Sequence, residues 1–177
     1  KHNKMKKIAI IGAGPAGIEA ASVLANHSIE VLLFEKSSLT LTNLLDKAFL
    51  FPDFSLASDM ADKLNKKLLH PNIKLFLETE ITNIKEDRSG WKVIDAKGMS
   101  HLVSTVLMTS GYMAFDARRK EELGCGIYKG VISSLDLEKM IKYKQIVNSM
   151  GDIPKRIVFL QCVGSRDEKS GNNYCSK

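Results

Sequence analysis

A glycine-rich turn close to the start of the chain is the feature that most constrains its fold. Gly12, Gly14 and Gly17 have the spacing G-x-G-x-x-G within the segment KIAIIGAGPAG. Residues 7–11 predict a buried strand, and residues 15–26 predict a helix. At such a junction each glycine lacks a side chain for a different reason: the first allows a tight turn, the second allows a pyrophosphate to approach closely, and the third allows the helix to pack on the strand. The turn therefore predicts a dinucleotide site.

A second predicted strand, residues 30–35, completes a βαβ unit and ends in a carboxylate. Glu35 stands 18 positions beyond Gly17 (35 minus 17), where its carboxylate can accept hydrogen bonds from ribose hydroxyls. A carboxylate there repels a 2′-phosphate, so FAD or NAD is favoured over NADP. A plain glycine turn in a parallel sheet remains the alternative to a cofactor site.

After residue 55 the sequence pattern predicts one helix and then a series of strands. Apolar residues at every fourth position from Leu56 to Leu68 predict an amphipathic helix whose stripe faces the core. The segment NIKLFLETEI predicts a third strand. Three short strands separated by DRSG and AKG predict an antiparallel meander, which leads into an apolar strand ending at Thr109-Ser110-Gly111.

Composition excludes several classes of partner. The chain of 177 residues is 44% hydrophobic and 26% charged, and it has no apolar run of the roughly 20 residues that span a bilayer. Its net charge of +6 comes from lysines scattered among acids, as in SDMADKLNKK, which is typical of a solvated surface. We therefore expect no nucleic acid and no membrane insertion. Three cysteines and no secretion signal predict a cytoplasmic location.

The order of these elements resembles the FAD domain of the glutathione-reductase-like flavoproteins, which carry two dinucleotide-binding domains. The predicted fold class is therefore α/β: a Rossmann-like FAD/NAD(P)-binding domain with a βαβ unit and an antiparallel β-meander crossover, truncated. The resemblance implies that the turn at residues 109–111 lies against the flavin side of FAD, although a simple strand end remains an alternative. The predicted cofactor-binding residues are Gly12, Ala13, Gly14, Pro15, Ala16, Gly17, Glu35, Lys36, Ile81, Thr109, Ser110 and Gly111.

Three segments of the second half resemble the A subunit of heterodisulfide reductase and its relatives. These are FDARRK at residues 115–120, VISSL at residues 131–135, and QCVGSR at residues 161–166. With the glycine motif included, the resemblance covers nearly the whole chain.

The resemblance also gives two cysteines a role. Cys162 and Cys175 match the first two of four cysteines that hold a four-iron cluster in that family, and the chain stops at Lys177 before the adjoining pair. They are the predicted metal ligands, of a four-iron four-sulfur cluster if missing cysteines complete it, since such clusters take four thiolates. The residues alone allow two free thiols equally. Cys125 matches no family cysteine and is expected to be a packed small apolar residue.

Two departures from the family pattern stand near residues 41–55. Leu41 and Thr42 occupy roughly the positions of a Gly-Gly pair, so their side chains are expected to crowd the pyrophosphate or the flavin. The segment Asp53-Phe54-Ser55 replaces an Asp-Cys-Ser, so an additional cluster is not expected there.

The expected domains are an incomplete FAD-binding domain at residues 1–150 and the start of a second nucleotide-binding domain at residues 151–177. The second carries half of the iron-sulfur cysteine motif, and its segment RIVFLQCVG predicts a new apolar strand. The segment that completes the first domain in the family is missing, so we expect exposed apolar surface and a need for partners.

The resemblance implies an FAD-binding electron-transfer subunit of a heterodisulfide reductase-like oxidoreductase complex, passing electrons between flavin and iron-sulfur clusters. Expected partners are iron-sulfur and disulfide-reducing subunits, or the missing carboxy-terminal portion. No residue is predicted to be catalytic. The alternatives are a non-catalytic degenerate fragment that serves in assembly, and a pyridine-nucleotide-dependent disulfide reductase, which would need a closely spaced cysteine pair that the sequence lacks.

Overall fold

The computed structural model describes residues 6–175, which fall into two compact units. The first unit ends at Gly111 and the second begins at Tyr112. This division at residue 111 separates compact units. The predicted boundary at residue 150 separates two nucleotide-binding domains, and it stays a prediction. None of the helices in the described part of the chain is long and apolar enough to cross a membrane.

The first unit is built on a parallel sheet. Its strands run in the order β5-β2-β1-β9, and each neighbouring pair is parallel. The βαβ unit, the meander and the final parallel strand are all present, which confirms the predicted Rossmann-like α/β class. The elements of this unit are β1 (Lys7–Ile11), α1 (Pro15–Asn26), β2 (Glu30–Phe34), α2 (Thr42–Leu45), β3 (Phe49–Leu50), β4 (Ser55–Leu56), α3 (Ala57–Lys67), β5 (Ile73–Phe76), β6 (Ile81–Asp87), β7 (Gly90–Asp95), β8 (Ser100–Val103) and β9 (Thr105–Met108).

Alternating side chains of the central strands pack into two separate hydrophobic cores. Val31 and Leu33 of β2 belong to a cluster that includes residues of α1 and α3, whereas Leu32 and Phe34 belong to a second cluster with Val93 of the meander. Because successive side chains of a strand point to opposite faces, an uninterrupted apolar strand requires cover on both sides. Helices cover one face of the parallel sheet and the meander covers the other.

The amphipathic helix exists, but its buried face differs from the predicted stripe. Leu56 and Met60 are exposed, whereas Ala57, Ala61 and Leu64 are buried. Four residues exceed one turn of 3.6 residues, so a stripe at strict intervals of four drifts around the helix. The buried face of α3 is therefore formed by Ala57, Ala61 and Leu64.

The predicted third strand is present as β5, but it is shorter than the segment NIKLFLETEI. β5 ends at Phe76 and β6 begins at Ile81. Between them Glu78 has a φ of +48°, a left-handed conformation that a continuous strand does not contain. The break allows the chain to leave the parallel sheet and begin the antiparallel meander β6-β7-β8.

A short hairpin of β3 and β4 carries exposed aromatic side chains. Phe51 and Phe54 are 88% and 69% exposed. The first unit therefore has exposed apolar side chains, as predicted.

The second unit contains one α-helix in its described part, α4 (Ser134–Lys142), and three short 3-10 helices. A capping box begins α4, in which the Ser133 hydroxyl accepts from the Asp136 N–H and the Asp136 carboxylate accepts from the Ser133 N–H. The strand predicted at RIVFLQCVG is wrong, because residues 156–160 are exposed and unpaired in the described structure. Strand formation needs a neighbouring strand for the backbone hydrogen bonds, and the described part of this unit contains none.

The starts of three parallel strands are joined by one ionic cluster. Glu30 on β2 lies 2.8 Å from Lys74 Nζ on β5 and 3.5 Å from Lys7 Nζ on β1. The hydrogen bond from Lys74, supported by the charge of Lys7, lowers the pKa of Glu30 below its usual range.

We predict that Glu30→Gln destabilises the protein by about 0.5–1 kcal/mol at pH 7. The lowered pKa means that this stabilisation is complete above the unfolded-state pKa and disappears as pH falls through the folded-state value. Urea unfolding at pH 7 and at pH 3 checks it. Equal differences between wild type and variant at both pH values would contradict the assignment.

Candidate functional site

Three loops meet at the carboxyl edge of the parallel sheet. The glycine turn follows β1, Glu35 follows β2, and Thr109 follows β9. Because these neighbouring strands are parallel, their carboxyl ends share one edge, which is where ligands bind in open α/β sheets. Residues predicted from separate stretches of sequence are thus brought together.

Two of the glycines are required by the packing of the turn. Gly12 has a φ of +107°, and a Cβ there would collide with the carbonyl oxygen of Thr109. A Cβ on Gly17 would collide with the carbonyl oxygen of Gly12 and lie 2.8 Å from Thr109 Oγ1. These two positions therefore need glycine for the fold itself.

Gly14 has no comparable structural reason to be glycine. Its φ of −77° and ψ of −178° are open to any residue, and a Cβ there would meet nothing within 4 Å. Gly14 is the N-cap of α1, and no side chain caps this helix end. Pro15 and Ala16 form the exposed first turn of the helix. The space in front of Gly14 is open to a group that approaches the amino end of α1.

Thr109 ties the end of β9 to the glycine turn. Its hydroxyl lies 2.9 Å from the Gly12 carbonyl oxygen and 3.1 Å from that of Ile11, and its N–H donates to the Ile11 carbonyl at 2.9 Å. Ser110 and Gly111, which follow, are both exposed. The sequence motif located this turn but not its hydrogen bonds to the first loop.

Backbone groups hold Glu35 in place. Its Oε2 accepts a hydrogen bond of 2.9 Å from the Ala13 N–H, and its Oε1 accepts one of 2.9 Å from the Ser37 N–H. Each carboxylate oxygen has capacity for a second donor. The carboxylate is therefore fixed beside the glycine turn, where it can also accept from hydroxyl groups of a ligand.

Lys36 follows Glu35 in the chain, whereas Ile81 belongs to the meander. Lys36 is exposed and lines a polar cavity of about 210 Å³ together with Glu80 and Asp95. Ile81 follows Glu80 at the start of β6, and its side chain packs against the buried cluster containing Phe34. The cavity was not predicted, because its lining comes from three loops that are distant in sequence.

The predicted crowding by Leu41 is not found. The side chain of Leu41 is only 2% exposed and belongs to the core cluster that contains Ile18. Its backbone has a φ of +60°, the left-handed conformation that glycine adopts most readily, and its N–H donates to the Ala13 carbonyl at 3.0 Å. Thr42 is exposed. The loop keeps a glycine-like backbone while the leucine side chain is directed inward.

The two predicted metal ligands lie in the second unit, and Cys162 contacts an arginine there. Arg166 Nη2 is 3.7 Å from Cys162 Sγ, and the sulfurs of Cys162 and Cys175 both raise the pKa of Arg166. Both cysteines are exposed, while Cys125 is half-buried. No group of three or more metal-ligating side chains occurs among residues 6–175. Two thiols do not fit a four-iron cluster, which takes four thiolates.

The loop that bears Cys162 is braced by the FDARRK segment. Lys120 Nζ lies 2.8 Å from Asp167 Oδ2, and both side chains are largely buried. This hydrogen bond, with another from Ser170, lowers the pKa of Asp167 to about 2. The Phe115 ring lies against Gly164, where a Cβ would collide with it. The resemblance identified these segments, but their contacts are apparent only in the structure.

The sequence matches the family described as pyridine nucleotide-disulphide oxidoreductase over residues 6–156. The chain belongs to this family. Members are named for pyridine nucleotide and disulphide chemistry, and the carboxyl-edge site lies within the matched residues. The predicted resemblance to the A subunit of heterodisulfide reductase is also confirmed, by the relatives that follow.

Two relatives match different lengths of this chain. The A subunit of the H(2)/formate:CoB-CoM heterodisulfide,ferredoxin reductase of Methanococcus maripaludis is 49% identical over 81 residues, covering 42% of this chain and 12% of the relative. The A subunit of the ferredoxin/F(420)H(2)-dependent CoB-CoM heterodisulfide reductase of Methanosarcina acetivorans is 27% identical over 260 residues, covering 97% of this chain and 33% of the relative. The chain thus spans a third or less of the length of these relatives.

Solved structures support the fold. The thioredoxin reductase of Lactococcus lactis aligns with a TM-score of 0.55 and 19% identity, covering 63% of this chain and 37% of the other. L-proline dehydrogenase from P. horikoshii aligns with a TM-score of 0.54 and 24% identity, covering 66% and 26%. At these identities the likeness concerns the fold alone.

We predict that Gly17→Ala lowers the free energy of unfolding by about 1–3 kcal/mol, because its methyl group overlaps the Gly12 carbonyl and the overlap outweighs the gain in helix propensity. Gly14→Ala is the matched control and should cost about 1 kcal/mol or less, as expected for alanine at an N-cap. Chemical denaturation without added cofactor measures both. Equal losses would contradict the distinction between the two glycines.

Proposed function

We propose that this chain is an FAD-binding, electron-transferring part of a heterodisulfide reductase-like oxidoreductase complex. The observation that carries the proposal is Gly14. This residue has an ordinary backbone conformation and open space around it, so its lack of a side chain serves a ligand and not the fold. Family membership and the named relatives support a flavoprotein oxidoreductase as the setting.

The carboxyl edge fits FAD at three points. The turn from Gly12 to Gly17 and the amino end of α1 would hold the pyrophosphate, because backbone N–H groups and the positive end of the helix dipole attract anions. The positioned carboxylate of Glu35 would accept hydrogen bonds from ribose hydroxyls, and Lys36 and Ile81 would line the same part of the cofactor. The turn at residues 109–111 would border the flavin.

The chemistry belongs to the cofactor, and the protein supplies its position. FAD, when bound, takes up and releases electrons singly or in pairs. The chain contributes fixed positions for the binding groups. Thr109 joins two strand ends, and the Ala13 N–H orients the Glu35 carboxylate that would bind ribose. No catalytic side chain is assigned.

We propose that iron-sulfur clusters exchange electrons with the flavin and that Cys162 and Cys175 supply two of the four thiolates of one cluster. The relatives named as ferredoxin reductase or iron-sulfur subunits support this assignment. The described residues do not complete such a site, so the other two thiolates would come from a further polypeptide segment or from another subunit of the complex. A cytoplasmic location is part of the same proposal.

The first test is the cofactor content of the anaerobically purified chain together with the proteins that co-purify. We expect stoichiometric FAD in the released fraction, and iron only when partner thiolates are present. Absence of both flavin and iron from the isolated complex would contradict the proposal and favour the non-catalytic assembly role.

Gly14→Ala should weaken FAD binding about tenfold or more, since its methyl group occupies the space that the pyrophosphate needs. Quenching of flavin fluorescence on titration of apoprotein measures the dissociation constant. Ser58→Ala, on the exposed surface of α3, is the control and should bind FAD as wild type does. A Gly14→Ala variant with wild-type affinity would refute the assignment of the glycine.

A further inference from the structure

The hairpin formed by β3 and β4 carries apolar side chains on both of its faces. Phe49 and Leu56 are paired directly across the two strands, so their side chains share one face. Leu50, the next residue of β3, lies on the opposite face and packs against the core cluster that includes residues of α1 and α3. Phe49 and Leu56 are exposed. One apolar face of the hairpin is therefore covered by the first unit, and the other faces solvent.

Three more apolar side chains extend this uncovered face. Phe51 and Phe54 lie in the turn of the hairpin and are the most exposed of the set. Met60 stands four positions beyond Leu56, one turn along α3, and is also exposed. The hairpin patch is defined as five residues: Phe49, Phe51, Phe54, Leu56 and Met60.

Backbone contacts hold the hairpin in place and leave the patch in solvent. The Ala57 N–H donates to the Ala48 carbonyl at 3.2 Å and closes the base of the hairpin. The Ser55 N–H donates to Asp53 Oδ1 at 3.2 Å and shapes the turn. Phe54 has a φ of +55°, a left-handed conformation that is unfavourable for a bulky residue. Aromatic side chains held in solvent in this way are typical of residues that anchor a protein interface.

We propose that a second copy of this chain covers the hairpin patch, and that the two copies pack with their patches facing each other across a two-fold axis. In such an isologous interface every contact occurs twice, because both subunits contribute the same surface. This inference goes beyond the proposed electron-transfer function and does not require bound FAD.

The charges beside the patch favour a copy of the same surface as its occupant. Asp53 lies in the turn of the hairpin, between Phe51 and Phe54 in sequence, and it is exposed. Lys63 is also exposed, and it lies three positions beyond Met60 and therefore on the same side of α3. A two-fold axis through the patch would bring Asp53 of each copy to Lys63 of the other copy. A surface that carries one charge of each sign in this way complements itself.

The size of the patch is consistent with a reversible dimer. If each large apolar side chain presents roughly 150–250 Å² when fully exposed, the five side chains, which are 39–88% exposed, contribute on the order of 500 Å² per copy. A standard interface takes about 800 Å² from each partner. The patch therefore supplies most of that area, and the hairpin backbone with Asp53 and Lys63 would add to it. We expect dissociation in the micromolar range, as for an interface below the standard size.

Sedimentation velocity of the full chain, without added cofactor and over a series of protein concentrations, tests the dimer. We expect a monomer–dimer equilibrium that Phe51→Ser weakens about tenfold or more, because the aromatic side chain loses its contact with the second copy. Leu69→Ser is the matched control, since Leu69 is 83% exposed but lies beyond the far end of α3, and this variant should dimerise as wild type does. A monomer at every concentration, association that continues beyond the dimer, or equal weakening by both variants would overturn the proposal.

A charge exchange tests whether the occupant is a second copy in the proposed orientation. Asp53→Lys and Lys63→Asp should each weaken self-association about tenfold, because like charges then meet twice across the two-fold axis. An equimolar mixture of the two variants should dimerise as wild type does, since every such contact again joins opposite charges. The mixture separates contacts between copies from contacts within one copy. If it dimerises no better than the variants do alone, the proposed orientation is wrong.

A lipid surface is the other partner that exposed aromatic side chains on a hairpin turn can meet. The hydrogen bond from the Ser55 N–H, with a contribution from the charge of Lys63, lowers the pKa of Asp53 below its usual range. The ionised carboxylate in the turn disfavours insertion into a bilayer. Flotation with vesicles of phosphatidylcholine and phosphatidylserine distinguishes the two partners. Binding of a monomeric wild type to these vesicles, lost in Phe51→Ser, would overturn the dimer and assign the patch to a lipid surface.

Discussion

The contact between the glycine turn and the end of β9 is the constraint on which the first unit depends. Gly12 and Gly17 have no side chain because the turn, the start of α1 and Thr109 occupy the same small space. The Thr109 hydroxyl bonds to the turn, and its backbone continues the pairing of β1 with β9. The parallel pairing of β1 with its neighbours sets the strand ends at one edge, where the space in front of Gly14 is open.

The two-sided burial of β2 explains why the rest of this unit is arranged in layers. The strand is apolar from Val31 to Phe34, so both faces need cover. Helices α1 and α3 cover one face, and the meander covers the other, with His101 packed against the rings of Phe34 and Phe76 at centroid distances of 5.2 Å. The same strand ends at Phe34 and places Glu35 at the carboxyl edge, so a core residue and a candidate site residue are neighbours in sequence.

The second unit relies less on apolar burial and more on local polar contacts. Its described helix is opened by a capping box, and its cysteine loop is held by Lys120, Asp167 and Asn172. The apolar segment at residues 157–160 is exposed and unpaired in the described structure. Sequence indicated a strand because its residues are β-branched, aliphatic and aromatic, but such residues form a strand only beside another strand.

The sequence by itself determined the βαβ unit, the meander, the glycine turn and the position of Glu35, because these follow from local periodicity and from spacing along one stretch of chain. Only the tertiary structure decided that Leu41 points into the core, that α3 buries Ala57 and Ala61, and that Thr109 bonds to the first loop. It also brought Lys120 to Asp167. Those contacts join residues from different segments, so they depend on which backbones approach one another and not on any local pattern.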